Sequence, residues 1–206
     1  VYDLIKKGTS TMIRFGTGGW RAIIGDEFTK DNICLAAQGF ANLLHAKGLD
    51  QKKVIIGHDR RFLSDEAANW FAEVLTANNI AVILMARSMP TPMIMHYVQK
   101  HELDFGIEIT ASHNPAKYNG YKVYGADGCQ ITEEVANKIL GKIGETPYFE
   151  EIPSFAKLCA EGKIEYIGDD IINGFIGDAL ACAKADGDVE RNLKLVYTPL
   201  NGSGRM

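Results

Sequence analysis

Short apolar runs alternate with amphipathic segments along most of the chain, and this alternation constrains the fold more than any other feature. The apolar runs have the length and composition of buried strands, and they lie at 54–56, 81–85 and 103–109. The intervening segments carry apolar residues three and four positions apart, as one face of a helix does, and they lie at 29–47, 64–78, 91–100 and 132–144. The sequence therefore predicts a three-layer α/β/α domain with a mixed, largely parallel sheet.

Residues at the ends of the amphipathic segments indicate where the helices begin and end. Gly48 follows the first segment as a stop signal. Ser64 has the side chain of an N-cap, and it precedes two acidic residues that suit the positive end of a helix dipole. Thr91 and Pro92 together predict an N-cap followed by the first residue of the next helix.

The periodicity weakens after residue 144, which divides the chain into three parts. Residues 1–144 are predicted to form a complete first domain, and residues 145–169 are predicted to form a linker. Residues 170–206 contain an amphipathic helix at 171–185 and a strand at Leu193–Tyr197, which together cannot bury a core. We therefore expect the truncated start of a second α/β domain, with an open strand edge that favours self-association or docking on another chain.

Composition and charge exclude several classes of partner. The net charge of −4 over 206 residues provides no basic excess for a nucleic acid, although a few cations in one cleft still suit an anionic small molecule. No apolar run approaches the ~20 residues needed to span a bilayer, so we expect no membrane partner. The four cysteines form no C-x-x-C pair and the N-terminus lacks the apolar core of a signal peptide, so we expect reduced thiols and a cytoplasmic location.

A polar, turn-rich loop follows the predicted strand at 103–109 and contains the candidate site. Sites in open α/β sheets form beyond the carboxyl ends of the strands, where the hydroxyl of Ser112 can be exposed on a loop stiffened by a proline. His113, Asn114 and nearby backbone N–H groups are suited to binding phosphate oxygens, and Lys122 returns on the next short strand with a positive charge. From the spacing alone, an ordinary polar turn remains the alternative.

The α-D-phosphohexomutases have an active-site loop that is similar to Thr110-Ala111-Ser112-His113-Asn114-Pro115, followed by Tyr118-Asn119-Gly120-Tyr121-Lys122. The resemblance implies that Ser112 is phosphorylated and that Lys122 lies at the reacting centre. It also implies that two residues flank the phosphoserine, His113 as a catalytic residue and Asn114 as a phosphate ligand.

Two further segments resemble the same family and occur in the family's order. The Phe-Gly-Thr-x-Gly-x-Arg-Gly segment of the family is similar to residues 15–22, although Ala22 replaces the last glycine. This match implies that Arg21 is a catalytic group in the cleft and that Thr17 and Gly18 bind phosphate on a glycine-rich loop.

The family's Gly-x-Asp-x-Arg segment is similar to residues 57–61. The match places Arg61 among the residues that bind the substrate phosphate. A structural pairing of Arg61 with Asp59 beneath the site is the interpretation that we favour.

The resemblance implies an enzyme of the phosphoglucomutase/phosphomannomutase type, an isomerase of carbohydrate metabolism. Phosphoserine at Ser112 would give its phosphoryl group to a hexose phosphate, and the resulting sugar bisphosphate would return its other phosphate to Ser112. Mg2+ would bridge the phosphate, and glucose 1,6-bisphosphate would act as activator. The alternatives are a non-catalytic sugar-phosphate-binding or interaction module, and a mutase acting on glucosamine phosphate or a pentose phosphate.

The metal loop and the sugar-reading loops of that family have no counterpart in the sequence. Residues 186–191 superficially resemble its metal loop, but Glu190 replaces the third Asp and the segment precedes the strand predicted at 193–197, so we predict an exposed turn. Ser112, through its phosphate, is then the one metal ligand that the resemblance supplies. We therefore expect this chain alone to bind Mg2+ weakly or not at all and to be inactive.

Overall fold

Seven strands form one sheet in the described part of the chain. The structure is a computed structural model, and it describes residues 13–16, 19–49, 53–143, 145, 153–183, 192 and 194–204. The strands are β1 (Phe15–Gly16), β2 (Gly19–Ile23), β3 (Val54–His58), β4 (Val82–Met85), β5 (Phe105–Ile109), β6 (Tyr118–Gly125) and β7 (Ile164–Ile167). Their order across the sheet is β1-β2-β6-β5-β3-β4-β7. The sheet is mixed, as predicted, because β5, β3, β4 and β7 are parallel whereas β1, β2, β6 and β5 pair in antiparallel fashion.

Helices cover both faces of this sheet. Those in the described residues are α1 (Lys30–Lys47), α2 (Ser64–Ala77), α3 (Thr91–Lys100), α4 (Glu133–Lys142), α5 (Phe155–Ala160) and α6 (Asp169–Ala181). One buried cluster takes side chains from α1, α2, α4 and α5, and a second takes side chains from α3 and α6. Ile56 enters the first cluster and its neighbour Ile55 the second, so the clusters lie on opposite faces and the predicted three-layer fold is confirmed.

The parallel strands end at one edge of the sheet, and the candidate loop begins there. The side chains of β4 are all buried, because helices cover both faces, and this explains its unbroken apolar run. Asp59 follows β3, and its N–H donates to the carbonyl oxygen of Ile109 at the end of β5, at 3.0 Å. This bond holds two strand ends side by side under the loop that carries Ser112.

The prediction of a linker over residues 145–169 is wrong for residues 155–167. These residues form α5 and β7, and β7 pairs in parallel with β4 at the edge of the sheet. Leu158 of α5 and Ile164 of β7 are both buried. Elements of six and four residues are too short for a periodic pattern to stand out, so the sequence alone did not reveal them.

Helix α6, predicted as part of a second domain, packs against α3. Ile171 and Ile172 are buried in the cluster that α3 and α6 share. The described residues 194–199 form no strand, so the strand predicted at 193–197 is wrong there, and the side chains of Leu195, Val196 and Tyr197 are exposed. Self-association of the chain stays a prediction, but the open edge of a strand at 193–197, on which it was based, is not present in residues 194–197.

The helix boundaries follow the sequence signals in part. Gly48 ends α1 in the left-handed conformation, as predicted, with a φ of 67°. Ser64 is not the N-cap of α2, because Leu63 holds that position with a φ of 63° and Ser64 is already helical. Pro90 caps α3, so Thr91 is its first residue. None of the described helices is long and apolar enough to cross a membrane.

Gly120 lies opposite Arg21 where β6 pairs with β2, and we predict that Gly120→Ala disrupts this pairing. A methyl group on Gly120 would overlap the carbonyl oxygen of Trp20. Because backbone must move to relieve that overlap, the free energy of unfolding in urea should fall by about 2 kcal/mol or more. Gly141→Ala in α4 is the control, since a methyl group there meets no atom within 4 Å. Equal losses in both variants would contradict this prediction.

Candidate active site

The loop at 110–117 presents Ser112 at the carboxyl edge of β5. Ser112 is exposed and adopts the left-handed conformation with a φ of 57°, which costs an L-residue about 1–2 kcal/mol. Its N–H donates to the Thr110 hydroxyl oxygen at 2.9 Å, and the N–H of Asn114 donates to the Ala111 carbonyl at 3.1 Å. A strained residue in a loop that hydrogen bonds hold in place is typical of a functional site.

Asp59 anchors this loop from below. Its Oδ2 accepts the Thr110 hydroxyl at 2.7 Å and lies 3.2 Å from Nε of Arg61. Its Oδ1 accepts the backbone N–H of Arg61 at 2.9 Å and the Ser64 hydroxyl at 2.8 Å. With both oxygens engaged, the carboxylate is fixed in one orientation and connects the end of β3 to the start of the loop.

Arg61 connects Asp59 to the carbonyl groups of the loop. Its two terminal nitrogens donate to the carbonyl oxygens of Ser112, Asn114, Pro115 and Tyr118, at distances between 2.6 and 3.0 Å. All four terminal N–H groups are therefore used, and none is left for a phosphate group. This geometry contradicts the prediction that Arg61 binds phosphate, whereas the pairing with Asp59 is present as expected.

A second polar connection joins Asp59 to β6. The Ser64 hydroxyl accepts an N–H from the Asn119 side-chain amide at 2.9 Å, and Oδ1 of Asn119 accepts the N–H of Gly120 at 2.8 Å. Asn119 is completely buried, so these bonds are shielded from water. One carboxylate thus fixes the start of the loop through Thr110 and the end of the loop through Ser64.

Arg21 and Lys122 lie on one face of the sheet, beside this loop. Their chain neighbours point into the first buried cluster on the other face, namely Trp20, Ala22, Tyr121 and Val123. Because strand side chains alternate, Arg21 and Lys122 extend from the face of α3. Neither side chain forms a hydrogen bond or an ion pair within the described residues, and Nε of Arg21 is buried without a partner.

The electrostatics of this pair of cations favour binding of an anion. Burial, and then the charge of Arg21, lower the pKa of Lys122 below its ordinary value of 10.5, and Glu108 acts in the opposite direction. Repulsion between the two cations would be relieved by an anion that lies between them. The arrangement is therefore suited to holding a phosphate group near the loop.

Glu108 is a group of this region that the motifs do not identify. It lies on β5 directly opposite Lys122 on β6, and it is completely buried. Burial, and then the negative charge of Asp59, raise the pKa of Glu108 well above 4.5, while Lys122 acts in the opposite direction. The one sequence signal for this residue is a glutamate inside the apolar run at 103–109.

The other predicted site residues are partly outside the described chain. His113 is exposed and forms no hydrogen bond within the described residues, and Asn114 is half-buried and uses its backbone rather than its side chain. Thr17 and Gly18 lie outside the described residues, as do residues 186–191. Arg21 extends from strand β2, so the glycine-rich loop predicted there does not include it.

The described residues alone do not fit a metal ion. They contain no group of three or more His, Cys, Asp or Glu side chains that could hold one. Ser112 is placed to present one phosphate oxygen, whereas Mg2+ requires an octahedral set of oxygen ligands. A Mg2+ site would therefore take its remaining ligands from outside the described residues.

Known proteins resemble most of the chain. The family model for phosphoglucomutase/phosphomannomutase, alpha/beta/alpha domain I, matches residues 12–148. A phosphoglucomutase of Staphylococcus haemolyticus is 33% identical over 205 residues, which cover 97% of this chain and 36% of that protein. A phosphoglucomutase of Staphylococcus aureus is 35% identical over 157 residues, which cover 72% of this chain and 28% of that protein.

Solved structures share the fold. A candidate phosphomannomutase of Thermus thermophilus superposes with a TM-score of 0.71 and 29% identity, over 82% of this chain and 36% of that chain. A phosphoglucomutase/phosphomannomutase family protein of Burkholderia thailandensis has a TM-score of 0.61 at 22% identity, over 82% of this chain and 36% of that chain. The chain thus spans 28% to 36% of the length of these four proteins.

We predict that Arg61→Lys loosens the loop without unfolding the domain. A single ammonium group cannot reach the four carbonyl oxygens that the guanidinium binds at once. Amide hydrogen exchange at 112–118 should therefore accelerate about tenfold or more, the equivalent of about 1.4 kcal/mol. Arg60→Lys is the matched control, since Arg60 is exposed and adjacent. Unchanged exchange in Arg61→Lys would show that the guanidinium does not hold the loop.

We also predict that Glu108→Gln stabilises the protein increasingly as the pH rises above 4.5. The unfolded chain loses the Glu108 proton near pH 4.5 and the folded chain loses it at higher pH, so ionisation favours unfolding in between. Each unit by which folding raises the pKa removes about 1.4 kcal/mol from the wild type. Urea unfolding of both proteins between pH 4 and pH 8 measures the difference, and a difference that does not grow with pH would contradict it.

Proposed function

Because this chain belongs to the phosphoglucomutase/phosphomannomutase family, we propose that it is the phosphoserine-bearing part of a phosphohexomutase. Ser112 carries the phosphoryl group, and Lys122 and Arg21 stabilise the charge of the group as it moves. The complete protein interconverts hexose 1-phosphate and hexose 6-phosphate through a sugar bisphosphate. This activity is proposed for the whole protein, since the chain spans 36% of the length of its phosphoglucomutase relative from Staphylococcus haemolyticus.

One observation carries the proposal: an exposed serine hydroxyl stands on a hydrogen-bonded loop beside two cations that form no ion pair within the described residues. The Oγ of Ser112 forms no hydrogen bond within the described residues, so it is free to carry a phosphate. Arg21 pairs with Gly120, and the carbonyl of Gly120 accepts the N–H of Thr110 at 2.9 Å, so this cation lies level with the start of the loop. Phosphoryl transfer depends mainly on such positioning and charge stabilisation.

In the proposed reaction, the bond between phosphorus and Oγ of Ser112 breaks as a hydroxyl of the hexose phosphate forms a new bond to phosphorus. The proton of that hydroxyl passes to the neutral amine of Lys122, and Lys122 then gives this proton to Oγ of Ser112. The reverse step, with the other phosphate of the bisphosphate, restores phosphoserine. The lowered pKa of Lys122 supports this role, because a neutral amine must be accessible for it to accept a proton.

The remaining parts of the machinery are proposed to come from outside the described residues. These parts include the ligands that would complete a Mg2+ site and the loops that read the sugar. Under this proposal the chain alone binds sugar phosphates without turnover. Glucose 1,6-bisphosphate is the proposed activator, and the cytoplasm is the proposed location.

The complete gene product, incubated with glucose 1,6-bisphosphate and Mg2+, should gain one phosphoryl group on the peptide that contains Ser112. Intact-mass measurement followed by peptide mapping detects it. Lys122→Met should reduce the interconversion of glucose 1-phosphate and glucose 6-phosphate about 100-fold or more, because it removes both the charge and the proton carrier.

Ser112→Ala should abolish the modification, whereas Ser154→Ala, at an exposed serine that caps α5, should leave it unchanged. A phosphoryl group that persists in Ser112→Ala would overturn the assignment of the serine. Activity of Lys122→Met within a few-fold of the wild type would overturn the assignment of the lysine.

A further inference from the structure

A buried carboxyl group, with no hydrogen-bond partner in the described part of the chain, lies on the strand next to that of the proposed reacting lysine. Glu108 is 0% exposed, and neither carboxyl oxygen has a hydrogen-bond partner among the described residues. An apolar side chain would avoid the resulting desolvation penalty, as Ile107 and Ile109 do on the opposite face of β5. A carboxyl group at this position is therefore explained better by an electrostatic role than by packing.

The helix and the strands around Glu108 leave few charges in contact with it. A methyl group on Gly57, its neighbour on β3, would lie 2.7 Å from Oε2 of Glu108 and 2.6 Å from Cδ1 of Ile94. The same methyl group would lie 3.0 Å from the sulfur of Met85. The carboxyl group thus occupies the space that the glycine leaves, and α3 and β4 present apolar atoms to it there.

Two ionisable groups act on Glu108 directly, Asp59 from the end of β3 and Lys122 from β6. Lys122 is the directly opposite residue in the antiparallel pair, so the two side chains share a face with their Cβ atoms about 5 Å apart. Two further ionisable groups lie near this pair of side chains. Arg21 acts on Lys122, and Tyr124 stays neutral because burial raises its pKa to about 12.

We propose that Glu108 is a positioning residue that sets the proton affinity of Lys122, an inference that rests on the proposed role of Lys122 in phosphoryl transfer. An ionised Glu108 attracts the Lys122 ammonium and holds its proton. A neutral Glu108 leaves Lys122 to the effects of burial and of Arg21, both of which favour loss of the proton. Glu108 therefore acts on the reaction through Lys122, without contact to the substrate.

The pKa of Lys122 in the 206-residue chain tests this proposal without any need for turnover. The chain is labelled with 13C and 15N in its lysine side chains, titrated by NMR, and the Lys122 signal is assigned from its absence in Lys122→Met. Glu108→Gln should lower the pKa of Lys122 by about one unit or more, because it removes an opposite charge from the residue directly across the strand pair. An unchanged pKa in Glu108→Gln overturns the proposal.

A reciprocal titration keeps the proposal testable if Glu108→Gln fails to fold. Linkage requires that Lys122→Met raise the pKa of Glu108 by the same amount as Glu108→Gln lowers that of Lys122. The carboxyl carbon of Glu108, labelled with 13C, reports this value in the wild type and in Lys122→Met. Equal values in the two proteins would overturn the proposal independently.

Glu73→Gln is the matched control. Glu73 is half-buried on α2, which packs on the opposite face of the sheet, and burial raises its pKa as well. Its removal should leave the pKa of Lys122 unchanged. A shift as large as that in Glu108→Gln would show a general effect of net charge and overturn the specific coupling.

The complete enzyme separates this inference from the proposed function. In Glu108→Gln, the limb of the pH–rate profile that reports Lys122 should move to lower pH by the shift measured by NMR, a change that loss of packing alone does not produce. If the titrations of Glu108 and Lys122 are coupled but the complete protein has no mutase activity, the proposed function is wrong and the proposed coupling stands. A normal mutase with uncoupled titrations would defeat the coupling alone.

Discussion

The ion pair between Asp59 and Arg61 is the interaction on which the geometry of the site depends. The carboxylate fixes the guanidinium, and the guanidinium holds four carbonyl groups of a loop that has few other ways to satisfy them. With these carbonyl oxygens bound beneath the loop, the Ser112 side chain lies on the exposed side. The cost of the left-handed conformation at Ser112 is met by this set of charge-assisted hydrogen bonds.

The distribution of charge around the loop complements this rigidity. Negative charge is placed beneath the loop in Asp59, where donors surround it, and positive charge is placed at the side in Arg21 and Lys122, where no acceptor among the described residues meets it. Glu108 lies between these two regions, and the charges of Asp59 and Lys122 both affect its ionisation. A phosphate that binds beside the loop would therefore change the balance between a buried acid and a partly buried base.

The sequence predicts the layers of this fold well, and it predicts the site less completely, for physical reasons that differ by residue. The apolar run of β4 and the spacing in α1 show directly in the sequence, because burial on one or two faces leaves a periodic record. The residue type of Ser64 predicts a helix cap, yet its hydroxyl binds Asp59, a tertiary contact that no local pattern records. The role of Arg61 is likewise absent from the local sequence, because its hydrogen bonds go to carbonyl groups more than 50 positions away.

Strand β7 determines where this domain can be truncated without exposing a sheet edge. The family match ends at residue 148, before α5, β7 and α6, although β7 covers the hydrogen-bonding edge of β4 and α6 covers the outer side of α3. A shortened protein cut at that boundary would expose a four-residue apolar strand with unpaired amide and carbonyl groups, a template for intermolecular β-sheet growth. During synthesis the same edge of β4 stays unpaired until β7 has emerged from the ribosome, so aggregation of nascent chains is a hazard that β7 removes.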